Sequence, residues 1–348
     1  MTPQLAIARL VERRDLDEAE MAAVCEGMLA GAATPAQVGA VLTALRMKGE
    51  TVDELSGLAR TLRAHATRVP GVPPDAVDTC GTGGDGRGTF NVSTAVALVV
   101  AACGVPVAKH GNRAVSSRTG STDVLEALGV TVELPPEALG RCVREVGIVF
   151  LHAPALHPAL RQVGGPRREL GIRTCFNLAA PLANPAGVRR QVVGVSEERL
   201  VGLMAGALVR LGCERAWVVH GPEGLDELGL CGPSTVAEVH GGGVVMRTVT
   251  PADAGLQSVA HDESLEAATP AASAARIRAL LGGAGGPARD IVCLNAAAAL
   301  VVAGAAPDLR TGARRAGAAL DRGAAQTVLA RLVAFTEVAA ARAARGAR

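Results

Sequence analysis

The 348-residue chain sets 35 Lys and Arg against 33 Asp and Glu, and 49% of its residues are hydrophobic. A formal net charge of +2 excludes binding to nucleic acid or a membrane surface by general basic excess, and the length suffices for one large core or two unequal ones. Glycine is abundant at 42 residues while aromatics make up 1%, which suits a site built from backbone rather than from stacking rings.

Residues 1–68 read as helices alone. Thr2-Pro3 and Thr34-Pro35 start two of them, Gly49 ends the second, and Thr51-Val52-Asp53-Glu54 fits a capping box for a third. Leu55, Leu58, Ala59 and Leu62 then fall on one face at helical spacing. A helical domain over 1–70 is therefore expected, ended by the linker Val69-Pro70-Gly71-Val72-Pro73-Pro74.

From 75 to 348 apolar strands alternate with helices. Strands are expected at 76–80, 105–108, 148–151, 192–195 and 216–219, with helices at 93–103, 122–128, 137–146 and 197–211. That alternation predicts an α/β domain with a mostly parallel central sheet covered on both faces. The Ala- and Arg-rich tail, 339–348, is expected to fray. Eight cysteines occur without a Cys-x-x-Cys pair, so reduced core thiols in a cytoplasmic protein are expected. Met1-Thr2-Pro3-Gln4 has no signal-peptide pattern, and the apolar stretches near 95–102 and 296–303 are too short to span a bilayer.

Gly81-Thr82-Gly83-Gly84-Asp85-Gly86 satisfies G-x-G-x-x-G between a strand and a helix, the setting of a dinucleotide site. The acidic residue required about 20 positions later is missing, because no Asp or Glu lies between Asp85 and Asp123. A Walker P-loop fails as well, since no glycine here precedes Lys-Ser or Lys-Thr. What remains is a glycine loop whose N–H groups converge on an anion, followed by a helix opened by the capping residues Asn91 to Thr94. A plain strand–turn–helix connection would read the same way.

The next strand favours the anion. Lys109, His110, Arg113 and Arg118 crowd one loop with Ser116, Ser117, Thr119 and Ser121, and ammonium and hydroxyl groups suit phosphate oxygens. Loops at the carboxyl ends of parallel strands face a common crevice, so the two loops are expected to line one site. Asp226-Glu227, between Gly224 and Gly229, adds the hard oxygen ligands that suit Mg²⁺ on a phosphorylated substrate.

The run Asp78 to Asp85, then Phe90 to Thr94, Lys109 to Ser117, Gly120 to Gly129, His157-Pro158-Ala159, Arg167 to Thr174, Asn184-Pro185, Val219-His220-Gly221 and Gly224 to Glu227 resembles the anthranilate phosphoribosyltransferases, in order and over nearly the whole chain. The resemblance implies a small all-helical N-terminal domain beside the α/β domain. It also implies a homodimer formed through the helical part, which helices near 160–190 join. Anthranilate and phosphoribosyl diphosphate are the implied substrates, with Mg²⁺ as cofactor. The implied products are phosphoribosyl-anthranilate and diphosphate, in tryptophan biosynthesis.

Carried over by position, phosphoribosyl diphosphate falls to Gly81, Gly84, Asp85, Thr89, Asn91, Val92, Ser93, Thr94, Lys109, His110, Gly111, Asn112, Arg113, Ala114, Val115, Ser116, Ser117 and Ser121. Anthranilate falls to Gly81, Asn112 and Arg167, with Arg168 as the neighbouring alternative. The metal falls to Ser93, Asp226 and Glu227. Arg118 stands where relatives often carry Lys, and Leu178-Ala179-Ala180-Pro181-Leu182 replaces a more usual Leu-Leu-Gly-Pro-Leu.

The expected chemistry is cleavage of the ribosyl C1–diphosphate bond through an oxocarbenium-like transition state, the diphosphate being neutralised by cations. The aromatic amine already carries a free lone pair and needs orientation more than deprotonation, so no general base is assigned. His110 serves a structural role equally well. Two alternatives stand beside this reading. One is a pyrimidine nucleoside phosphorylase-like enzyme, disfavoured by Asp226-Glu227 and the Lys109–Asn112 run. The other is a non-catalytic nucleic-acid-binding relative, disfavoured by the near-neutral charge.

Overall fold

The computed structural model describes residues 1–113, 119–260 and 265–346. Four helices open the chain where their caps dictate: α1 (Pro3–Val11), α2 (Glu18–Leu29), α3 (Pro35–Lys48) and α4 (Val52–His65). Thr2, Asp17, Thr34 and Thr51 each accept a first-turn N–H, and Thr51–Glu54 closes the capping box expected from sequence. The α4 face Leu55, Leu58, Ala59 and Leu62 is buried.

The α/β part opens with β1 (Val77–Gly81), α5 (Val92–Ala102), β2 (Val107–Gly111), α6 (Ser121–Ala127), α7 (Pro136–Val146), β3 (Ile148–His152) and α8 (Ala153–Leu156). The chain then turns back. Helices α9 (Arg161–Leu170) and α10 (Cys175–Ala179) bury Val163, Cys175, Phe176 and Ala179 in one core with Leu10, Met21, Leu42, Leu45 and Leu58 of the N-terminal helices. It resumes with β4 (Arg190–Gly194), α11 (Leu200–Arg210), β5 (Arg215–His220), β6 (Ser234–His240) and β7 (Gly243–Val249), and closes with α12 (Pro270–Leu281), α13 (Pro287–Val302), α14 (Leu309–Asp321) and α15 (Ala324–Gly346).

One seven-stranded sheet runs β3-β2-β1-β4-β5-β6-β7. The first five strands pair in parallel, and β6 and β7 add an antiparallel hairpin at one edge. Helices α5 and α13 bury their apolar surface against one face. Helix α11 covers the other with Leu55 and Ala59 of α4, which joins the helical part to the sheet. Burying each such Val or Leu contributes about 1.5–3 kcal/mol, which explains why α5 is apolar all round.

The chain builds β1, β2 and β3 to one side of the sheet, then crosses to β4 on the other side of β1. The reversal leaves a crevice at the carboxyl ends of β1 and β4, where Gly81 pairs with Gly194. A side chain at Gly194 would place its Cβ 1.6 Å from Asp226 O, so only glycine lets the loop after β5 close over the strand end.

Two sequence expectations need correction, and one pair of strands went unpredicted. The strand expected at 105–108 starts at Val107 because Pro106 offers no N–H to the ladder. The β6–β7 hairpin was not expected. The tail does not fray from 339: α15 continues to Gly346, with Ala339 buried in the core and alanine favouring the helix. By length and composition alone, 324–345 is also apolar enough to cross a membrane, and a third of that stretch is buried inside the protein.

Candidate active site

A crevice of about 420 Å³ opens at the carboxyl ends of the parallel strands. The glycine loop after β1, Lys109 to Arg113 at the end of β2, Ser121, Ala153 and His157 after β3, Asp226-Glu227 after β5 and Arg167 of α9 all line it. Gly81, Gly84, Asp85, Thr89, Asn91, Val92 and Ser93 are among its walls, as are Gly111 and Asn112. Thr94 is not: its side chain is fully buried, with Oγ1 unpartnered among the described residues. Ala114, Val115, Ser116 and Ser117 lie outside the described residues.

Asn91 precedes α5 but its side chain does not cap it. Its Oδ1 accepts instead from Thr119 Oγ1 at 2.9 Å and Ser273 Oγ at 3.0 Å. The side chain is spent on tying the end of the basic loop to α12, and the first-turn N–H groups of α5 are left to other partners. The Ser93 backbone N–H lies near Glu227 and favours its charged form.

Three carboxylates meet beneath the glycine loop. Asp226 Oδ2 accepts the Gly83 N–H at 2.9 Å. Burial, then the negative charge of Asp85, holds the Asp226 carboxyl well above the usual carboxylate range. Burial and Asp226 push Glu227 up in turn, with Lys109 pulling the other way. Among the described residues, Asp85 Oδ2 is buried without a hydrogen-bond partner. Among the described residues no three His, Cys, Asp or Glu form a closed metal-ligand set. An open pair is nonetheless what Mg²⁺ takes when phosphates and waters complete its shell, so the residues fit such an ion.

The basic groups differ in what they can offer. Lys109 is buried and its Nζ donates to Thr79 O across the strand gap. Arg113 is exposed and already paired, with Glu126 at 2.6 and 2.7 Å and Asp123 at 3.0 Å. His110 is no cation: burial, then the neighbouring His157, drives its pKa down to about 3. Its Nδ1 lies 3.1 Å from Ala180 O, which makes that nitrogen the donor, and its ring stands 5.2 Å from that of His157. The potential cation read from sequence is thus a neutral ring.

Arg167 lies half-buried with its guanidinium 5.2 Å from the Phe176 ring, while Arg168 is exposed and absent from the crevice wall. Sequence reading assigned no role to Phe176, Asn177, His157, Ala180 and Pro181, which also line the crevice. Nor did it assign one to Asp78. That buried carboxylate accepts from His110 N at 3.1 Å and Asn184 Nδ2 at 2.8 Å, tying the β1–β2 pair where their ladder ends at Val77–Val107.

The match to known proteins spans both parts. Residues 4–66 match the helical bundle domain of the glycosyl transferase family, and residues 73–326 match its a/b domain. Anthranilate phosphoribosyltransferase of Rhodospirillum rubrum is 54% identical over 329 residues, covering 94% of each chain. The crystal structure of anthranilate phosphoribosyltransferase from Thermus thermophilus superposes with a TM-score of 0.89 at 44% identity, covering 95% of this chain and 99% of that one. The Saccharomyces cerevisiae enzyme, solved in complex with PRPP and Mg, shares the fold with a TM-score of 0.87 at 24% identity, covering 97% of this chain and 98% of that one. These relatives do not favour the phosphorylase or nucleic-acid-binding alternatives. With more than half of its aligned residues shared over nearly its whole length, the chain belongs to the anthranilate phosphoribosyltransferase family of glycosyltransferases.

Proposed function

We propose that this crevice transfers the 5-phosphoribosyl group from phosphoribosyl diphosphate to the amino nitrogen of anthranilate and releases diphosphate. The observation that carries the reading is the convergence of the glycine loop, the end of β2, the Asp226-Glu227 pair and Arg167 on one crevice. In this reading Gly84, Asp85, Thr89 and Asn91 to Ser93 hold the diphosphate, with Lys109, Gly111, Asn112 and Ser121 closing the pocket. Arg167 takes the anthranilate carboxylate in the plane of its guanidinium, and Gly81 and Asn112 lie between the two substrates.

Mg²⁺ would be held by Glu227, Asp226 and the Ser93 hydroxyl. The three crowded carboxylates and the unpartnered Asp85 oxygen support that assignment, because a dication offsets their mutual repulsion. When bound, it neutralises charge developing on the departing diphosphate. The protein's own part is orientation. His110, at a pKa of about 3, is poorly matched to proton abstraction at neutral pH, which supports an amine that attacks through its free lone pair, placed by Arg167.

We also read the helical part as the dimer contact, since Leu5, Val11 and Met47 stand exposed on α1 and α3. Eight free cysteines support a cytoplasmic setting. Purified protein supplied with anthranilate, phosphoribosyl diphosphate and Mg²⁺ is expected to release one diphosphate per anthranilate consumed. Phosphorolysis of thymidine or uridine, with no diphosphate release, would replace this reading by the phosphorylase one.

A further inference from the structure

The segment Arg173-Thr174 joins α9 to α10, on the arm that packs into the helical core. Its neighbours Arg167, Phe176 and Asn177 line the crevice from that side. The Arg173 side chain reaches the opposite way, into the α/β part. Nη1 donates to Gly83 O, and Nη2 donates to Thr82 O at 3.1 Å.

We propose that Arg173 is a positioning residue that clamps the glycine loop to the α9–α10 arm, so that the diphosphate floor and the anthranilate wall are assembled as one unit. The proposal rests on the function assigned above. A planar guanidinium on two successive carbonyls fixes two successive peptide planes, since each amide is rigid. The loop needs fixing. Gly83, Gly84, Gly86 and Gly88 all take positive φ, and glycine loses more conformational freedom on ordering than any other residue.

Arg173 works against a second tie. Asp226 Oδ2 holds the Gly83 N–H at 2.9 Å from the sheet side, so the same residue is gripped from the metal loop and from the helical arm. Gly84 makes room for the grip: a Cβ there would lie 1.6 Å from Arg173 Nη1. With the Gly83 carbonyl turned to Arg173, planarity directs the Gly84 N–H away from the guanidinium. A loop ordered before substrate arrives binds anions more tightly than one that orders on binding.

The test uses Arg173→Lys and Arg173→Gln in the full chain. Lys keeps the charge but not the two-pronged geometry, and it carries the test alone if the Gln variant does not fold. Amide hydrogen exchange over 81–88, measured without substrate, is expected to quicken about tenfold in both variants, as for the loss of one charge-assisted hydrogen bond. The KM for phosphoribosyl diphosphate is expected to rise by a similar factor, with the unfolding midpoint little changed. A merely structural role moves the midpoint and leaves loop exchange and KM together. Parent-like exchange and KM in Arg173→Lys overturn the clamp. Faster loop exchange in a chain whose parent form never turns over anthranilate keeps the clamp and removes the proposed function.

Discussion

Asp226 Oδ2 and the backbone N–H of Gly83 meet at 2.9 Å across 143 residues of sequence. That contact ties the glycine loop to the carboxylates expected to hold a metal, and the burial of Asp226 there sets a pH dependence. The folded pKa of Asp226 lies above its unfolded value, chiefly through burial. Between those two values the native state binds more protons, so the group's contribution to stability falls as pH rises, by no more than about 1.4 kcal/mol per pH unit. The lowered His110, His152 and His157 act in the opposite direction. The parent is therefore compared with Asp226→Asn. The melting temperature of the variant is expected to gain on the parent as pH rises from 5 through neutrality. A constant difference would remove Asp226 as a buried, repelled carboxylate. Saturating Mg²⁺ at pH 8 should raise the parent's melting temperature and leave that of Asp226→Asn with Glu227→Gln unmoved.

Arg167 separates the two substrates kinetically. Arg167→Ala is expected to raise the anthranilate KM about tenfold to a hundredfold, the worth of a charge-assisted carboxylate contact, and the phosphoribosyl diphosphate KM far less. Steady-state kinetics with each substrate varied in turn checks this. Equal effects would contradict the assignment, and Arg168→Ala should leave both constants near the parent's because that side chain is exposed.

Asp78 tests the ties behind the crevice. It accepts from His110 N, Asn184 Nδ2 and Gln191 Nε2 at 3.1, 2.8 and 3.4 Å, so its removal takes the acceptor from His110 N and leaves the two amide groups one acceptor each, Ala108 O and Pro181 O. Asp78→Ala is expected to cost about 3 kcal/mol in denaturant unfolding. A loss under about 1 kcal/mol, the worth of one ordinary hydrogen bond, would show that the β1–β2 gap is held by other means.

Gly84 offers an independent reading of the Arg173 clamp. In Gly84→Ala the new methyl occupies the place of the guanidinium and strains a backbone at φ +73°. Its KM for phosphoribosyl diphosphate is expected to rise as in Arg173→Gln. The double variant should fall short of the product of the two single effects, whereas fully multiplicative effects would separate the two positions.

Much of the fold was legible because period and punctuation agree. The caps at Thr34 and Thr51 and the apolar runs of α5, β3 and β5 report local rules that packing does not override. The β6–β7 hairpin was not legible: its outer strand is exposed through Gly243 to Thr248, so no buried alternation marks it. The crevice was legible at its loops, where glycines and cations stand in blocks. What escaped was the back of the site. Arg173 and Asp78 act on backbone carbonyls and amides 90 and 32 residues away, and such pairings leave no spacing signal. The neutrality of His110 escaped for a related reason, since burial beside His157 is set by the return of the chain after α8 to the helical part rather than by its own loop.

One crevice is expected to bring anthranilate and phosphoribosyl diphosphate together. Anthranilate fluorescence, followed in the presence of purified protein, phosphoribosyl diphosphate and Mg²⁺, tests it most directly. A steady loss of signal that stops when either phosphoribosyl diphosphate or Mg²⁺ is withheld is the expected result. Constant fluorescence with folded protein and both present would contradict the account.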